Sequence, residues 1–296
     1  MTLGPSFLVG LKPRIIDCYR HAAPEKAKQI AEIEKRLDNV DLDDRADSFG
    51  ALTTYGVITG SWWALEALWC FAFAVARLAP KFEDAIQNHV REVPLTDVED
   101  QLALTLIQWA LPTLAERERR AWPHIEMKWP YDERGGINSD ELRAAETVFL
   151  HACSWILFHE LSHVHREHGS RQQDNWEMEY EADADATRWL ITRAEIGQAA
   201  ERGLGLVCAL FLMLVRESQS ESADADHPPM GNRIRKCIEA AGFHDNAPPV
   251  GILATMIETF AQYRKVMTPG VSESSPGLRG ETFSTDRAYL EALLVP

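Results

Sequence analysis

The sequence lacks the cysteine pattern of a secreted, disulfide-stabilised protein. It has five cysteines, an odd number, and none of them forms a CxxC pair. The first twenty residues, MTLGPSFLVGLKPRIIDCYR, also lack the order of a secretory signal, because Gly10 and Pro13 break the short apolar run. We therefore expect a reduced, cytoplasmic chain whose thiols are buried.

Positive charge is also scarce in this chain. There are 45 acidic residues against 30 lysines and arginines, which gives a formal net charge of −15. A protein that binds a phosphate backbone needs clustered positive charge. The composition therefore argues against a nucleic-acid partner.

No apolar run in the sequence is both long and uninterrupted. In residues 62–79, Glu66 and Arg77 leave only residues 67–76 unbroken. The second run, residues 203–215, is shorter than the roughly 20 residues that a membrane span needs. We predict that both runs are buried helices, which argues against membrane contact, with contact by the first run as the open alternative.

Helical periodicity covers most of the chain, and 46% of its residues are hydrophobic. We predict a mainly α fold with a small β-sheet (α+β), in one compact domain over residues 1–296. Pro80 is expected to separate two helices, and Pro112 is expected to bend or end one. The domain is predicted to have three parts: a helical N-terminal part (1–120), a central core (121–240), and a C-terminal helix with a flexible loop (241–296).

The segment WPHIEMKWPY, residues 122–131, departs from the helical pattern because two Trp-Pro pairs bracket an alternating run. We interpret it as an extended edge strand, to which a peptide could add itself as a further strand. An ordinary loop with buried tryptophans explains the same residues equally well.

A long helix is predicted in the central core. Asn138 and Glu141 resemble a capping box that opens it, and Gly169 is a natural end. This helix contains the stretch FHELSHVHREHG, residues 158–169, with four histidines.

Two of these histidines have the spacing of metal ligands. On a helix that turns about 100° per residue, His159 and His163 project within about 40° of one another. Together they can hold one zinc ion through imidazole nitrogens, and Glu160 is placed to take a proton from a water that the zinc activates. A polar helical face is the simpler alternative for this HExxH pattern.

The other two histidines are poorer ligands. His165 lies about 200° from His163, and His168 lies about 180° from His159 on the same helix. We interpret both as solvated basic residues near a helix C-terminus. The chain does not continue as HExxHxxGxxH either, so the third ligand must come from elsewhere.

The best third ligand lies in the helical stretch EYEADADATRWL. Glu179 and Asp183 are four residues apart and share one helix face. Glu179 can complete a His/His/Glu site, and Asp183 can accept a hydrogen bond from a ligand histidine and so fix its tautomer. Glu181 points about 200° away from Glu179. An acidic, solvated helix face is the alternative.

A third element is the segment DHPPMGNRI, residues 226–234, where prolines precede a predicted helix. His227 would lie at a rigid loop tip and could donate a hydrogen bond to the oxyanion of a tetrahedral intermediate. Arg233 could orient His227 or the substrate carbonyl. A loop histidine that caps the helix is the alternative.

These three motifs together resemble the gluzincin zinc metallopeptidases. HELSH matches their metal helix, and EYEAD is similar to the ExxAD stretch of their third-ligand helix. HPPMGNRI is similar to the HPxxxxRI element of the heat-shock and prenyl-protein peptidase family. Chain length and the central metal helix resemble the bacterial phage-exclusion (Lit-type) cell-death peptidases.

The resemblance implies a zincin-like metallopeptidase core built on the long HExxH helix, and a zinc endopeptidase activity. Members of the cell-death family cleave translation elongation factor Tu when a phage capsid peptide is present. The partners implied are therefore a protein substrate, with a translation elongation factor as the specific hypothesis, and an activating peptide or an inhibitor. The residues implied are the ligands His159, His163 and Glu179, with Asp183 behind them, and the catalytic residues Glu160, His227 and Arg233.

Two other functions fit the same residues. One is a zinc-binding regulatory protein without catalysis, which a closed, four-ligand site would indicate. The other is a membrane-associated quality-control peptidase, which partitioning of the purified chain into detergent would indicate.

Overall fold

A computed structural model gives the fold. The residues it describes are 6–43, 49–88, 95–123, 141–168, 175–192, 194, 196–218, 227–267 and 284–294. Several predicted features lie outside these ranges: most of the edge strand (residues 124–131), Asn138 of the capping box, Gly169, and the C-terminal loop at 268–283.

Helices form most of the described structure, as the periodicity predicted. Short 3-10 turns occur at Val9–Leu11, Pro24–Lys26, Glu34–Arg36 and Thr53–Tyr55. The α-helices are α1 (Lys12–Ala22), α2 (Ala27–Ile33), α3 (Trp62–Gln87), α4 (Val98–Glu116), α5 (Glu141–Arg166), α6 (Asn175–Ile191), α7 (Ile196–Ser218), α8 (Met230–Ala241), α9 (Pro248–Met267) and α10 (Asp286–Leu293).

A small three-stranded sheet completes the fold. Its strands are β1 (Asn39–Asp43), β2 (Gly50–Leu52) and β3 (Val57–Ser61), in the order β1-β3-β2. β1 and β3 run parallel with Val40 opposite Ile58, and β2 is antiparallel to β3. The predicted class, mainly α with a small β-sheet, is confirmed, whereas the division into three parts stays a prediction.

Helix α5 lies at the centre of the packing. It contacts α7, α3, α6 and α1, and its own residues Phe149, Trp155 and Phe158 are fully buried. All five cysteines are free and buried, as predicted. A helix surrounded in this way holds its side chains in fixed rotamers, which is what a site built on it requires.

Pro80 does not separate two helices as expected, and Pro112 does not end one. Pro80 lies inside α3 and Pro112 lies inside α4. An internal proline costs about 3 kcal/mol through a lost hydrogen bond and a clash. Residues 64–72 of α3 are almost all fully buried, so the packing of the apolar faces outweighs that cost.

The two apolar runs lie in helices that are longer than the sequence suggested. Trp62–Asp84 and Gln198–Glu217 are long and apolar enough, by length and composition alone, to cross a membrane, so the premise that they are too short is wrong. In the most apolar 18 residues of each helix, 83% of the first and 61% of the second are buried inside the protein. Glu66 is buried in α3 and pairs with Arg119 at 3.2 Å. Burial in the core supports the interpretation as buried helices, and the absence of membrane contact stays a prediction.

Candidate metal centre

The centre of the site is the C-terminal half of α5. His159 is buried and His163 is half-buried, and their Nε2 atoms lie 3.2 Å apart. Apolar residues on both sides, such as Phe158 and Leu161, pack into the core and fix which face of α5 the two histidines occupy. The pair therefore projects from one helix face, as the i,i+4 spacing predicted.

Helix α6 brings a carboxylate to this pair. Glu179 Oε1 lies 3.3 Å from His163 Nε2, and Glu179 Oε2 lies 3.5 Å from His159 Nε2. Among the described residues, these three side chains form a group that could hold a metal ion, with one ligand atom each and all atoms within 4.8 Å of one another. The packing of α6 against α5 thus joins two motifs that are sixteen or more residues apart.

The spacing of these atoms fits a small tetrahedral cation. Ligand atoms about 2.0 to 2.1 Å from zinc, at the corners of a tetrahedron, lie about 3.3 Å from one another. The two imidazole nitrogens are 3.2 Å apart, and each of them faces a different oxygen of Glu179, at 3.3 Å (Oε1) and 3.5 Å (Oε2). Glu179 Oε2 is buried and has no hydrogen-bond partner among the described residues. Two imidazole nitrogens and a carboxylate that converge on one point are a donor set that zinc accepts.

A buried ion pair stands behind His159. Its Nδ1 lies 3.0 Å from Asp183 Oδ1, although the two atoms are not aligned as a hydrogen bond. Arg233 of α8 donates to both oxygens of Asp183, from Nε and Nη2, each at 2.7 Å. The same Nη2 lies 3.1 Å from Glu179 Oε2. Asp183 therefore lies behind His159, next to the ring nitrogen that faces away from Glu179.

Electrostatics in the site are set by these close charges. Burial alone would lower the pKa of His159, but the carboxylates of Asp183 and Glu179 outweigh it and raise the pKa to about 10. Burial alone would raise the pKa of Glu179, but the two histidines and Arg233 hold it well below its usual range. The pKa of Asp183 is also lowered, because Arg233 outweighs the effect of burial. Both carboxylates therefore stay ionised and attract a cation.

The side chain of Arg233 contacts two carboxylates of α6 and does not extend to the open side of the site. It was expected to orient His227 or the substrate carbonyl, but its side chain is only 5% exposed and its guanidinium contacts Asp183 and Glu179. A buried guanidinium requires paired carboxylates, and α6 presents two of them towards α8. Arg233 is thus placed behind the ligands.

The two other predicted catalytic residues border the ligands. Glu160 follows His159 on α5 and is 8% exposed. His227 precedes α8 with its side chain 50% exposed, and its Nε2 lies 3.8 Å from Glu179 Oε1. The structure therefore brings the HPP segment to the rim of the site, next to the third ligand.

His168 is not the solvated residue that the sequence suggested. It is 3% exposed, and its Nδ1 lies 2.8 Å from Nδ1 of His163. The prediction is wrong because α5 ends at Arg166 and Glu167 has a left-handed backbone with φ of 55°. The helical projection therefore stops applying before residue 168. His165, by contrast, is exposed as expected.

Trp155 is a further residue of the site that the sequence analysis did not identify. Its ring stacks on that of His159, with centroids 5.7 Å apart and an interplanar angle of 26°. Its indole N–H donates to Thr187 Oγ1 of α6 at 3.0 Å. The signal was available in the spacing, because Trp155 precedes His159 by one helical turn on the same face.

Comparison with known proteins identifies the class. The chain belongs to the family Peptidase U49, which matches residues 58–255 and so includes every candidate site residue. The cell death peptidase of Escherichia coli (strain K12) is 28% identical over 177 residues, which are 58% of this chain. The chain thus spans 58% of the length of that curated relative. No solved structure gives a significant match. The predicted resemblance to the cell-death peptidases is confirmed.

Proposed function

We propose that this protein is a zinc-dependent endopeptidase of the cytoplasm that hydrolyses a peptide bond in an intracellular protein. The convergence of His159, His163 and Glu179, with one ligand atom each and all within 4.8 Å of one another, supports this most directly. Catalytic zinc is typically held by three protein ligands with one position open, whereas structural zinc has four. Among the described residues, three side chains form the group.

The chain's own residues divide the chemistry of hydrolysis between them. Zinc, when bound, would lower the pKa of the attacking water from 15.7 towards about 7 and polarise the substrate carbonyl. Glu160 accepts a proton from that water while the water oxygen forms a bond to the carbonyl carbon of the substrate. When the C–N bond breaks, Glu160 passes the same proton to the leaving nitrogen.

Two further residues support that reaction. His227 is exposed at the rim of the site, close to Glu179, and donates a hydrogen bond to the carbonyl oxygen as it becomes negative. Arg233 acts as a positioning residue, because its contacts with Asp183 and Glu179 hold the ligand carboxylate in place.

For the substrate we propose a translation elongation factor, and for the setting a phage-defence response in which a phage-derived peptide activates cleavage. The membership of Peptidase U49 and the similarity to a cell death peptidase support this choice. A cytoplasmic protease with such a substrate must be held inactive until it is triggered, either by a missing activator or by an inhibitor.

The substitution Glu160→Gln tests the mechanism. We expect the purified variant to bind one zinc per chain, like the wild type, and to lose activity by about 100- to 10,000-fold. New protein N-termini, mapped in cells that express each form and receive the phage trigger, identify the substrate and measure cleavage. The exposed Glu177→Gln on α6 is the matched control and should cleave normally.

Each contrary outcome has a definite meaning. Normal cleavage by Glu160→Gln would remove the proposed general base. A wild type that binds zinc but yields no new N-termini under any trigger would indicate a regulatory zinc protein. Cleavage of other proteins, with the elongation factor intact, would overturn the substrate and leave the peptidase.

A further inference from the structure

We infer that His168 and Glu181 form a hydrogen-bond relay behind His163, which fixes the tautomer of His163 and directs its Nε2 to the metal. His168 would then be a positioning residue of the metal centre. The inference rests on the proposed function, because it assigns a role towards the metal that the proposed function requires.

The relay consists of three side chains in contact. His163 Nδ1 and His168 Nδ1 are 2.8 Å apart, with the two rings nearly perpendicular at 78°. His168 Nε2 lies 3.3 Å from Glu181 Oε2. Arg166 Nη1 donates to that same oxygen at 3.2 Å. His168 is 3% exposed, so water does not compete freely for its nitrogens.

The order of donors follows from the carboxylate at the far end. An ionised carboxylate only accepts hydrogen bonds, so the Nε2 of His168 must carry a hydrogen. A neutral imidazole has one N–H, so the Nδ1 of His168 is an acceptor. The Nδ1 of His163 must then be the donor of their shared bond, and its Nε2 is left with a free lone pair. That atom lies 3.3 Å from Glu179 Oε1, inside the ligand group.

Both ligand histidines thus have a carboxylate behind them, and each carboxylate is held by an arginine. For His159 the carboxylate is Asp183, with Arg233 behind it. For His163 the carboxylate is that of Glu181, which Arg166 holds and His168 connects. A partner of this kind orients the ring and makes the ligand more basic.

The end of α5 places His168 for this role. Glu167 has a left-handed backbone, with φ of 55°, and its N–H lies 3.3 Å from the Val164 carbonyl. Arg36 forms an ion pair with Glu167 and donates to the His165 carbonyl at 3.3 Å. These contacts hold the turn after α5, and His168 comes to lie against His163.

Zinc affinity is the first test, because it does not depend on catalysis. Competition with a chromogenic chelator measures the dissociation constant of zinc for the full-length chain. We expect His168→Phe, which keeps a ring but removes both nitrogens, to weaken zinc binding about 10- to 100-fold. The matched control is His165→Phe, an exposed histidine three residues earlier, which should bind zinc as the wild type does.

A conservative variant separates positioning from packing. The amide oxygen of His168→Asn can replace Nδ1 as the acceptor for His163 but cannot reach Glu181. We therefore expect His168→Asn to recover most of the zinc affinity that His168→Phe loses. Equal losses in both variants would point to packing alone and would overturn the relay.

The tautomers can also be observed directly in the wild type, so the inference stays testable if His168→Phe does not fold. In the zinc-loaded chain, nitrogen-15 NMR of labelled histidines should show His163 protonated at Nδ1 and His168 protonated at Nε2. The opposite assignment at either residue would overturn the relay.

Different experimental results would contradict the relay and the proposed function. Wild-type affinity in His168→Phe, with zinc bound and Glu160→Gln inactive, would overturn the relay alone. A wild-type chain that binds no zinc, or that binds it equally well after His159→Ala, would overturn both.

Discussion

The two halves of helix α5 shift the pKa of a histidine in opposite directions. In the N-terminal half, burial and the charge of Arg202 lower the pKa of His151 to about 4. In the C-terminal half, about two turns later, the carboxylates of Asp183 and Glu179 overcome burial and raise the pKa of His159 to about 10. Both residues lie on one continuous helix, so the neighbouring elements decide whether a histidine of the metal-free chain is neutral or cationic.

The comparison predicts where stability depends on charge. The C-terminal half faces α6 and α8, which supply two carboxylates and the guanidinium of Arg233. The N-terminal half packs so closely against Gly205 of α7 that even a Cβ at that position would meet His151 and Ala152. Steric fit should therefore decide the stability of this half. The stability contributed by the C-terminal half should therefore depend on changes of charge. The stability contributed by the N-terminal half should depend on changes of side-chain volume and on acid.

The largest effect is expected for Arg233→Met. The change removes the guanidinium that pairs with the buried carboxylates of Asp183 and Glu179, which should lower the free energy of unfolding by about 3–5 kcal/mol. Urea unfolding of the chelator-treated protein measures this. The control is Arg188→Met, whose exposed side chain pairs with Asp185 at 3.6 Å and should cost at most about 1 kcal/mol. Similar losses in both variants would contradict the charge dependence of this half.

An intermediate effect is expected from acid acting on His151. The pKa of His151 is lower in the folded state than the ordinary histidine value of about 6.5, so its contribution to stability is fully present above that pH and is lost as pH falls towards 4. Between pH 7.5 and 4.5 we expect the wild type to lose about 2 kcal/mol more unfolding free energy than the non-titrating variant His151→Asn.

Paired urea titrations of the two chelator-treated proteins provide that measurement, and the other titrating groups cancel in the difference. Parallel pH profiles for wild type and His151→Asn would show that the pKa of His151 is the same in the folded and unfolded states, and the contrast with His159 would then be lost.

The smallest effect is expected for Gly205→Ala. A Cβ at this position would lie 2.4 Å from His151 Cβ and 2.9 Å from the backbone nitrogen of Ala152, so α7 and α5 would have to separate. Overpacking of this kind costs about 1–3 kcal/mol. The control Gly50→Ala has nothing within 4 Å of its new Cβ and should change thermal stability little.

Zinc binding sharpens the last prediction. If the two halves of α5 are separate in function, Gly205→Ala should lose stability while it keeps the zinc affinity of the wild type. A weakened zinc site in that variant would show instead that the N-terminal half positions the ligands.

Much of the fold was predictable because its signals are local. The 3.6-residue periodicity identified a mainly α protein, and helices do form most of the described structure. The prediction for Pro80 was wrong for the opposite reason. The cost of Pro80 within a helix is local, but the burial of α3 that outweighs it depends on elements distant in sequence.

The site residues also fall into two groups, those that local helix geometry predicts and those that depend on packing. The face shared by His159 and His163 follows from helix geometry alone, as does the face shared by Glu179 and Asp183. The position of His168 did not follow, because it depends on a left-handed residue at 167 that is not a glycine. The contacts of Arg233 did not follow either, since they depend on how α8 packs against α6.

The sequence by itself determined which residues could act together within one helix, because a helix repeats its geometry every few residues whatever surrounds it. Tertiary structure alone decided that α6 and α8 meet α5 at His159, and that the chain after α5 turns so that His168 lies against His163. Those distances arise from the packing of many apolar side chains along the whole chain, and no short stretch of sequence contains that information.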